Sequence, residues 1–422
     1  MANVVQYRFH RDEDAAARPD VNIAAMSHED ATRTVAATRA WGACGAVLIA
    51  WAAGVAAHQA PPIVPRIAAV RPIEPPARPL PRESATAGVR RFSFIAYGDT
   101  RCGCNADAPA EVQTAHAQVV DGMLAAIKSA AAGRGAIRFV VSSGDATFRG
   151  ANAERWAVFT PIVEKLTKGA GMPYFLSVGN HDVTGMPSGD PGRALGLHNT
   201  LTAMAKLMPP EGSPRRLSGY ATYAFGYGNS FFIAIDSNIA SDTIQLAWVT
   251  DQLEHLDRAR YRHVFAFFHH PLFSTGPHAG IQPRGPRGER LPDRVEPQTV
   301  AMRTIYAPLF RTHHVRMTIA GHDHLFDHWV ETYVDRGTKY RRDDVVTGGG
   351  GAPIYTYSGE PDLRAYLSGA AAGQVHVVHV ARPGPTAADN PHHFLVVHVN
   401  GDDVSFDVVK IGGSATTTAL GR

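Results

Sequence analysis

Five short polar blocks carry the residue types that chemistry needs: Gly98-Asp99, Gly144-Asp145, Gly179-Asn180-His181-Asp182, His269-His270-Pro271 and Gly321-His322-Asp323-His324. Each alone has a plain alternative, since Gly-Asp after a strand is commonly a turn in which the aspartate bonds its own backbone. Together the blocks supply carboxylate, amide oxygen and imidazole, a donor set that suits iron, manganese or zinc. A carboxylate shared by two cations ~3.5–4 Å apart clamps both the attacking and the departing oxygen of a phosphoryl group. The chemistry these residues imply is metal-assisted hydrolysis.

Such donors must be brought together by the elements that carry them. Each block ends an apolar run of strand length: RFSFIAYGD, AIRFVVSSGD, PYFLSVGNHD and YRHVFAFFHHP, with NSFFIAIDS as a fifth run of the same kind. Between the runs, 110–132, 152–168 and 243–260 read as amphipathic helices, the last with apolar residues at Leu246, Val249, Leu253 and Leu256. Strands alternating with helices indicate α/β layering. In such sheets the polar residues at the carboxyl ends of the strands collect in one crevice. After Gly348-Gly349-Gly350-Gly351 the chain reads as strand and loop, with Asn400-Gly401 as a hairpin signal. The glycine run lacks the lysine of a P-loop and is expected to form a tight turn beside the site. Segments 184–220 and 275–297, dense in glycine and proline, are expected to be long loops that shape substrate choice.

In this order and spacing the blocks resemble the signature of the calcineurin-like metallophosphoesterases, GD, GD, GNHD, H and GHxH. The resemblance covers roughly residues 91–411 and is made specific by GNHD and GHDH. It implies a fold of two stacked mixed β-sheets flanked by helices, and a phosphoesterase acting on phosphate mono- or diesters through a dinuclear metal centre. By the same resemblance Asp99 and His324 hold the first metal, Asn180, His269 and His322 the second, and Asp145 bridges them. His181 faces the ester and assists the leaving oxygen, with Asp182 orienting its ring. A positioned imidazole of this kind contributes ~10² to 10⁴ in rate. His270 and Asp323 are expected to orient neighbouring ligands.

Two departures from the family pattern bear on the first metal. Most members carry D-x-H, whereas Asp99 is followed by Thr100 and Arg101. Purple acid phosphatases, which also lack that histidine, have a tyrosine three residues after the second aspartate, where this chain has Phe148. Cys102 and Cys104 are the nearest replacement donors; alternatively they are ordinary loop residues or a local disulfide. Arg101 either binds phosphate oxygens or forms a structural ion pair. The missing histidine motivates a second reading, a degenerate member that binds a phosphorylated ligand or partner without turnover.

Bulk properties narrow the partners and the organisation. Hydrophobic residues at 45 % and charged residues at 19 % argue against wholesale disorder. A net charge of +3 gives no footprint for nucleic acid, so a small phosphoester is the expected substrate. Residues 1–40 read as disordered, and 41–58 as a transmembrane anchor or signal segment, with a buried alanine-rich helix as the alternative. Residues 59–89, with eight prolines between Pro61 and Pro81, read as a stiff linker. The catalytic domain spans 90–412, followed by a disordered tail at 413–422. This layout implies a catalytic domain outside the cytoplasm, tethered to a membrane or secreted.

Overall fold

The apolar runs fold into strands that are buried on both faces, as β1 (Arg91–Tyr97) illustrates, with every residue after Arg91 buried. The computed structural model describes residues 69–102, 112–130, 135–184, 192–278, 295–369, 373–411 and 416–419. The apolar segment 41–58 therefore lies outside the described residues. Among those described, no helix is long and apolar enough to cross a membrane.

After β1 come β2 (Ile137–Ser142), β3 (Tyr174–Leu176), β4 (Tyr223–Tyr227), β5 (Ser230–Ala234), β6 (His263–Phe267) and β7 (Met317–Ala320). The chain continues with β8 (Phe326–Asp335), β9 (Thr338–Thr347), β10 (Val375–Ala381), β11 (His393–Asn400), β12 (Asp403–Lys410) and β13 (Thr416–Ala419). They form two mixed sheets, β13-β12-β11-β1-β2-β3 and β10-β8-β9-β7-β6-β5-β4. In the first, β1, β2 and β3 run parallel; in the second, β5, β6, β7 and β9 do. The parallel stretches supply the strand ends that carry the polar blocks, as open α/β sheets do.

Phenylalanines on the facing sides join the sheets. Phe232 of β5 lies 5.1 Å from Phe94, 5.0 Å from Phe139, 4.9 Å from Phe225 and 5.0 Å from Phe265, ring centre to ring centre. Truncating such a ring to alanine costs ~3–5 kcal/mol. Helices cover the outer faces. α1 (Thr114–Ala130) and α2 (Ala153–Glu164) flank the first sheet, burying Val119, Val120 and Met123 of α1 and Trp156 and Phe159 of α2 in the main core. The segment expected as a long loop contains a helix, α3 (Gly192–Ala203). Its Gly196 packs so closely on Asp182 and Val183 that an added Cβ would lie 2.7 Å from their backbone. Glycine there marks a close helix contact rather than a loop. On the second sheet, α4 (Thr243–Glu254) is capped by Asp242, whose carboxylate accepts from Gln245 N at 2.8 Å, and it buries Val249 and Leu253.

Two expected boundaries move. The later part of the proline-rich segment is not a free linker but packs on the domain: Ile73 is fully buried and its amide donates to Ala203 O at 2.8 Å. Farther along, the Glu83 carboxylate accepts from Arg215 at 3.1 and 3.0 Å, from the Tyr261 hydroxyl at 2.6 Å and from Gly226 N at 3.0 Å. An extended, proline-stiffened backbone still offers its side chains to a neighbouring surface, and these found partners. At the other end, residues 416–419, expected in a tail, pair with β12 as an antiparallel edge strand, Ser405 opposite Ala419. Threonine-rich sequence favours strand, and β12 offered an open edge. The Asn400-Gly401 signal is a tight turn between β11 and β12, with Gly401 at φ 67°.

Candidate metal centre

Backbone strain marks the site before its side chains do. Asp99, Asp145 and His322 all adopt left-handed φ, at 60°, 55° and 72°, which non-glycine residues rarely do. Such strain persists only where the surroundings over-determine it, and it concentrates at working sites. Each of the three follows a glycine after a parallel strand, and the turn swings its side chain into the crevice between the sheets. The turn geometry is enforced by contact. A Cβ on Gly144 would lie 2.5 Å from Gly179 N, and one on Gly348 would lie 2.9 Å from an Asp99 carboxylate oxygen. The glycine run after β9 therefore closes one wall of the site.

All six expected ligands converge. His269 Nε2 lies 2.8 Å from Asn180 Oδ1, 3.3 Å from Asp145 Oδ1 and 3.2 Å from His322 Nδ1. His324 Nε2 lies 3.6 Å from Asp99 Oδ1. The Asp99 carboxylate accepts from the His322 amide, 3.0 Å from each oxygen.

The imidazoles are held through their outer nitrogens. His269 Nδ1 donates to Ser143 O at 3.1 Å, and His324 Nδ1 donates to Pro353 O at 2.7 Å. His322 Nε2 meets the Glu296 carboxylate at 2.7 Å. A carbonyl or carboxylate oxygen can only accept, so each outer nitrogen carries the proton, and the inner nitrogen of a neutral ring presents a lone pair. This outer-sphere anchoring is how proteins orient metal-binding histidines. Burial keeps two of these rings neutral: it pushes His269 down to about 3, and it drives His324 well below the ordinary imidazole value with help from Arg101. The carboxylates are equally buried. Burial and the adjacent Asp145 hold Asp99 well above the usual range. Burial also acts to raise Asp145, but the surrounding positive charge, the Arg101 guanidinium included, outweighs it and its carboxyl stands below the usual range.

His181 and Asp182 part company. The His181 amide donates to Asp145 Oδ1 at 3.0 Å, and its ring Nδ1 donates to Phe148 O at 2.8 Å while the ring stacks on Phe148 at 5.0 Å. Asp182 does not orient this ring. Its carboxylate is fully buried and accepts from Thr147 N at 3.1 Å and Gly179 N at 2.9 Å, pinning together the loops after β2 and β3. The short turn His181–Val183 sends the two side chains in different directions. His270, expected to steady a neighbour, bonds Ser237 Oγ through Nδ1 at 2.8 Å, with its ring 4.4 Å from His322. Asp323 Oδ1 accepts from His278 N at 3.2 Å.

Arg101 enters the site. Its Nε lies 3.3 Å from Asp145 Oδ2 and its Nη2 lies 3.3 Å from His324 Nε2. Of its two readings, the ion pair is formed. Cys102 is disulfide-bonded and offers no thiolate, and Cys104 lies outside the described residues.

Glu296 is the residue that sequence reasoning missed. It bridges His322 and His278, the latter at 2.9 Å, from just before a helix that starts at Pro297. Nothing in its local sequence separates it from other loop acids. His270, Glu296 and His322 also bring three donor atoms within 4.8 Å of one another, as do Asp99, Asp145 and His269.

The two expected cation positions differ in fit. Asn180 Oδ1, Asp145 Oδ1 and His322 Nδ1 all lie within 3.3 Å of His269 Nε2, and the donor types of these residues fit a metal ion. Around Asp99, Asp145 Oδ2 and His324 a guanidinium stands among the donors, and these residues do not fit one as they lie.

Residues 96–326 match the calcineurin-like phosphoesterase family, and the chain belongs to that family of metal-dependent phosphoesterases. Among solved structures it is similar to the purple acid phosphatase PPD1 from yellow lupin (Lupinus luteus) seeds, with a TM-score of 0.51 at 15 % identity. That match covers 79 % of this chain and 54 % of the lupin protein, so the chain spans about half of that enzyme's length. GAP50 of Plasmodium, described as the anchor in the inner membrane complex, gives a TM-score of 0.44 at 14 % identity, covering 79 % of this chain and 90 % of that one. PhoD gives 0.45 at 11 %, covering 79 % and 69 %. No curated protein matches the chain.

Proposed function

We propose that this protein hydrolyses phosphate mono- or diesters of small molecules, using iron, manganese or zinc held by Asp145, Asn180, His269 and His322. The observation that carries the proposal is the anchoring of the rings: His269 and His322 are fixed through their outer nitrogens, and the inner nitrogen of His269 meets Asn180, Asp145 and the inner nitrogen of His322. A cation bound there lowers the pKa of water and polarises the phosphoryl group.

The chain's own residues supply the rest. Arg101 sets a fixed positive charge at the Asp145 side of the crevice, where it complements the phosphoryl oxygens. His181, with Nδ1 committed to Phe148 O, turns Nε2 toward the ester and gives a proton to the departing oxygen. Burial lowers the His181 pKa, and a more acidic imidazolium is the better donor when the substrate's charge holds the proton in place. The disulfide at Cys102 supports a catalytic domain outside the cytoplasm, since reducing compartments seldom sustain one.

The test is kinetic. The full chain with added manganese should cleave an aryl phosphate or its bis-ester, and Asp145→Asn should abolish turnover while leaving the circular dichroism spectrum unchanged; equal turnover in the variant would reject the assignment. A second reading, binding of a phosphorylated ligand without turnover, draws support from Arg101 among the first metal's donors. It requires inorganic phosphate to bind the wild-type chain while every ester remains uncleaved.

A further inference from the structure

The first cation position departs from the family pattern twice, and the two departures meet in space. Arg101 occupies the sequence position of the D-x-H histidine, and Phe148 that of the purple acid phosphatases' tyrosine. The guanidinium carbon of Arg101 lies 5.4 Å from the centre of the Phe148 ring, within range of a cation–π contact. One substitution provides the charge and the other its aromatic floor.

Arg101 is held in this pose from several sides. Its amide donates to Asp145 O at 3.1 Å, Nε lies 3.3 Å from Asp145 Oδ2, Nη1 lies 3.4 Å from Cys102 O and Nη2 lies 3.3 Å from His324 Nε2. The side chain is only 11 % exposed. His324 is fixed in turn, with Nδ1 committed to Pro353 O and its ring stacked on Tyr355 at 4.1 Å, so the lone pair of Nε2 is aimed at the guanidinium.

A metal ion and this guanidinium exclude each other. Metal bonds to carboxylate oxygen or imidazole nitrogen are ~2.0–2.2 Å long. An ion bonded to both Asp145 Oδ2 and His324 Nε2 would claim the lone pairs that Arg101 now uses and would stand against its N–H groups. Guanidinium stays protonated in proteins and has no lone pair to give, so it cannot join the ligand set. The buried Asp145 carboxylate nevertheless needs positive charge nearby, because an unpaired buried carboxylate is costly.

We infer that this centre takes one metal ion, at Asp145, Asn180, His269 and His322, and that Arg101 permanently replaces the other as a built-in cation. The inference rests on the metal centre proposed above but not on turnover. The chain would then keep a positive charge on each side of the crevice while depending on a single metal equivalent.

The experiment counts metal. The full chain is stripped with chelator, dialysed against manganese, and its content measured by elemental analysis alongside electron paramagnetic resonance. The native chain should hold one equivalent with the six-line spectrum of an isolated Mn(II). Arg101→His, which restores D-x-H and gives the first position Asp99, Asp145, His324 and the new imidazole, should hold two equivalents with an exchange-coupled spectrum. Two tight equivalents in the native chain, none, or a folded R101H that stays at one would each overturn the inference. If R101H misfolds, the native stoichiometry and spectrum decide alone. One equivalent without ester cleavage would sink the hydrolase reading and leave this inference standing; two equivalents with cleavage would do the reverse.

Discussion

Two regions of this molecule bury acidic side chains and treat them differently. On the β8–β9–β10 side, Arg342 lies fully buried between Glu331 at 3.1 Å and Asp344 at 2.8 Å, and Arg311 reaches Glu331 from the other side at 3.2 Å. Asp343 is bonded by Arg316, by Arg341 at 2.7 Å and by His328 at 2.8 Å. Asp327 and Glu360 enclose His379, the latter at 2.9 Å. At the crevice, by contrast, Asp145 pairs with Arg101, while Asp99, Asp182 and Asp323 are buried and accept from backbone amides. Where buried acids serve the architecture, the chain brings their cations with it. At the crevice it brings fewer, and imidazoles aimed inward take their place, an arrangement that a bound cation would complete.

Breaking the crevice side should give the largest effect. His269→Ala removes the nitrogen around which Asn180, Asp145 and His322 gather. Turnover should fall by well over the ~10- to 100-fold that follows loss of an outer-sphere partner, while the urea midpoint changes little; retained turnover with normal metal content would move the centre elsewhere. The architectural side should answer with stability. Arg342→Met removes the only cation paired with Asp344 among the described residues and leaves Glu331 with Arg311 alone, and it should cost ~3–5 kcal/mol in urea denaturation, with metal affinity of the folded fraction unchanged. A coupled loss of metal would mean that the two regions are not independent.

Glu296→Gln sharpens the contrast within the site, because it leaves every proposed direct ligand in place and weakens the anchor of His322 together with the bond to His278. Metal affinity measured by chelator competition should fall ~10- to 100-fold. The smallest effect is a pH dependence on the architectural side. Burial would lower the His379 pKa, but hydrogen bonds to Asp327 and Glu360 outweigh it and raise the ring to about 9. Its unfolded value is ~6.5, so the contribution to stability is complete below that pH and disappears as pH rises through about 9. Urea midpoints of His379→Gln and wild type should therefore differ most near pH 6 and converge above pH 9.

How much of this was legible in the chain can be read from particular residues. Asp99, Asp145, Asn180, His269, His322 and His324 could be named because each block ends an apolar run, and strand ends of an α/β sheet share a crevice by construction. Asp182 was misassigned because adjacency in sequence says nothing about direction: a short turn rotates neighbours apart, and its carboxylate found backbone amides instead of the His181 ring. Glu296 was invisible because its worth lies in an oxygen 2.7 Å from His322, 26 residues farther along the chain. Ile73 and Glu83 were hidden by proline composition, which reports backbone stiffness and not what the side chains meet.

The sequence by itself determined the order of strands and helices, the donor types, and the absence of both the D-x-H histidine, at Arg101, and the tyrosine that stands in for it, at Phe148, since these follow from residue identity and local period. Only the tertiary structure decided that Arg101 lies over Phe148 among the first metal's donors, that carbonyls and Glu296 fix the ligand rings, and that the proline-rich strap binds the domain. Those outcomes depend on distances of a few ångströms between segments far apart in the chain, and such distances are set by the packing of two whole sheets rather than by any local pattern.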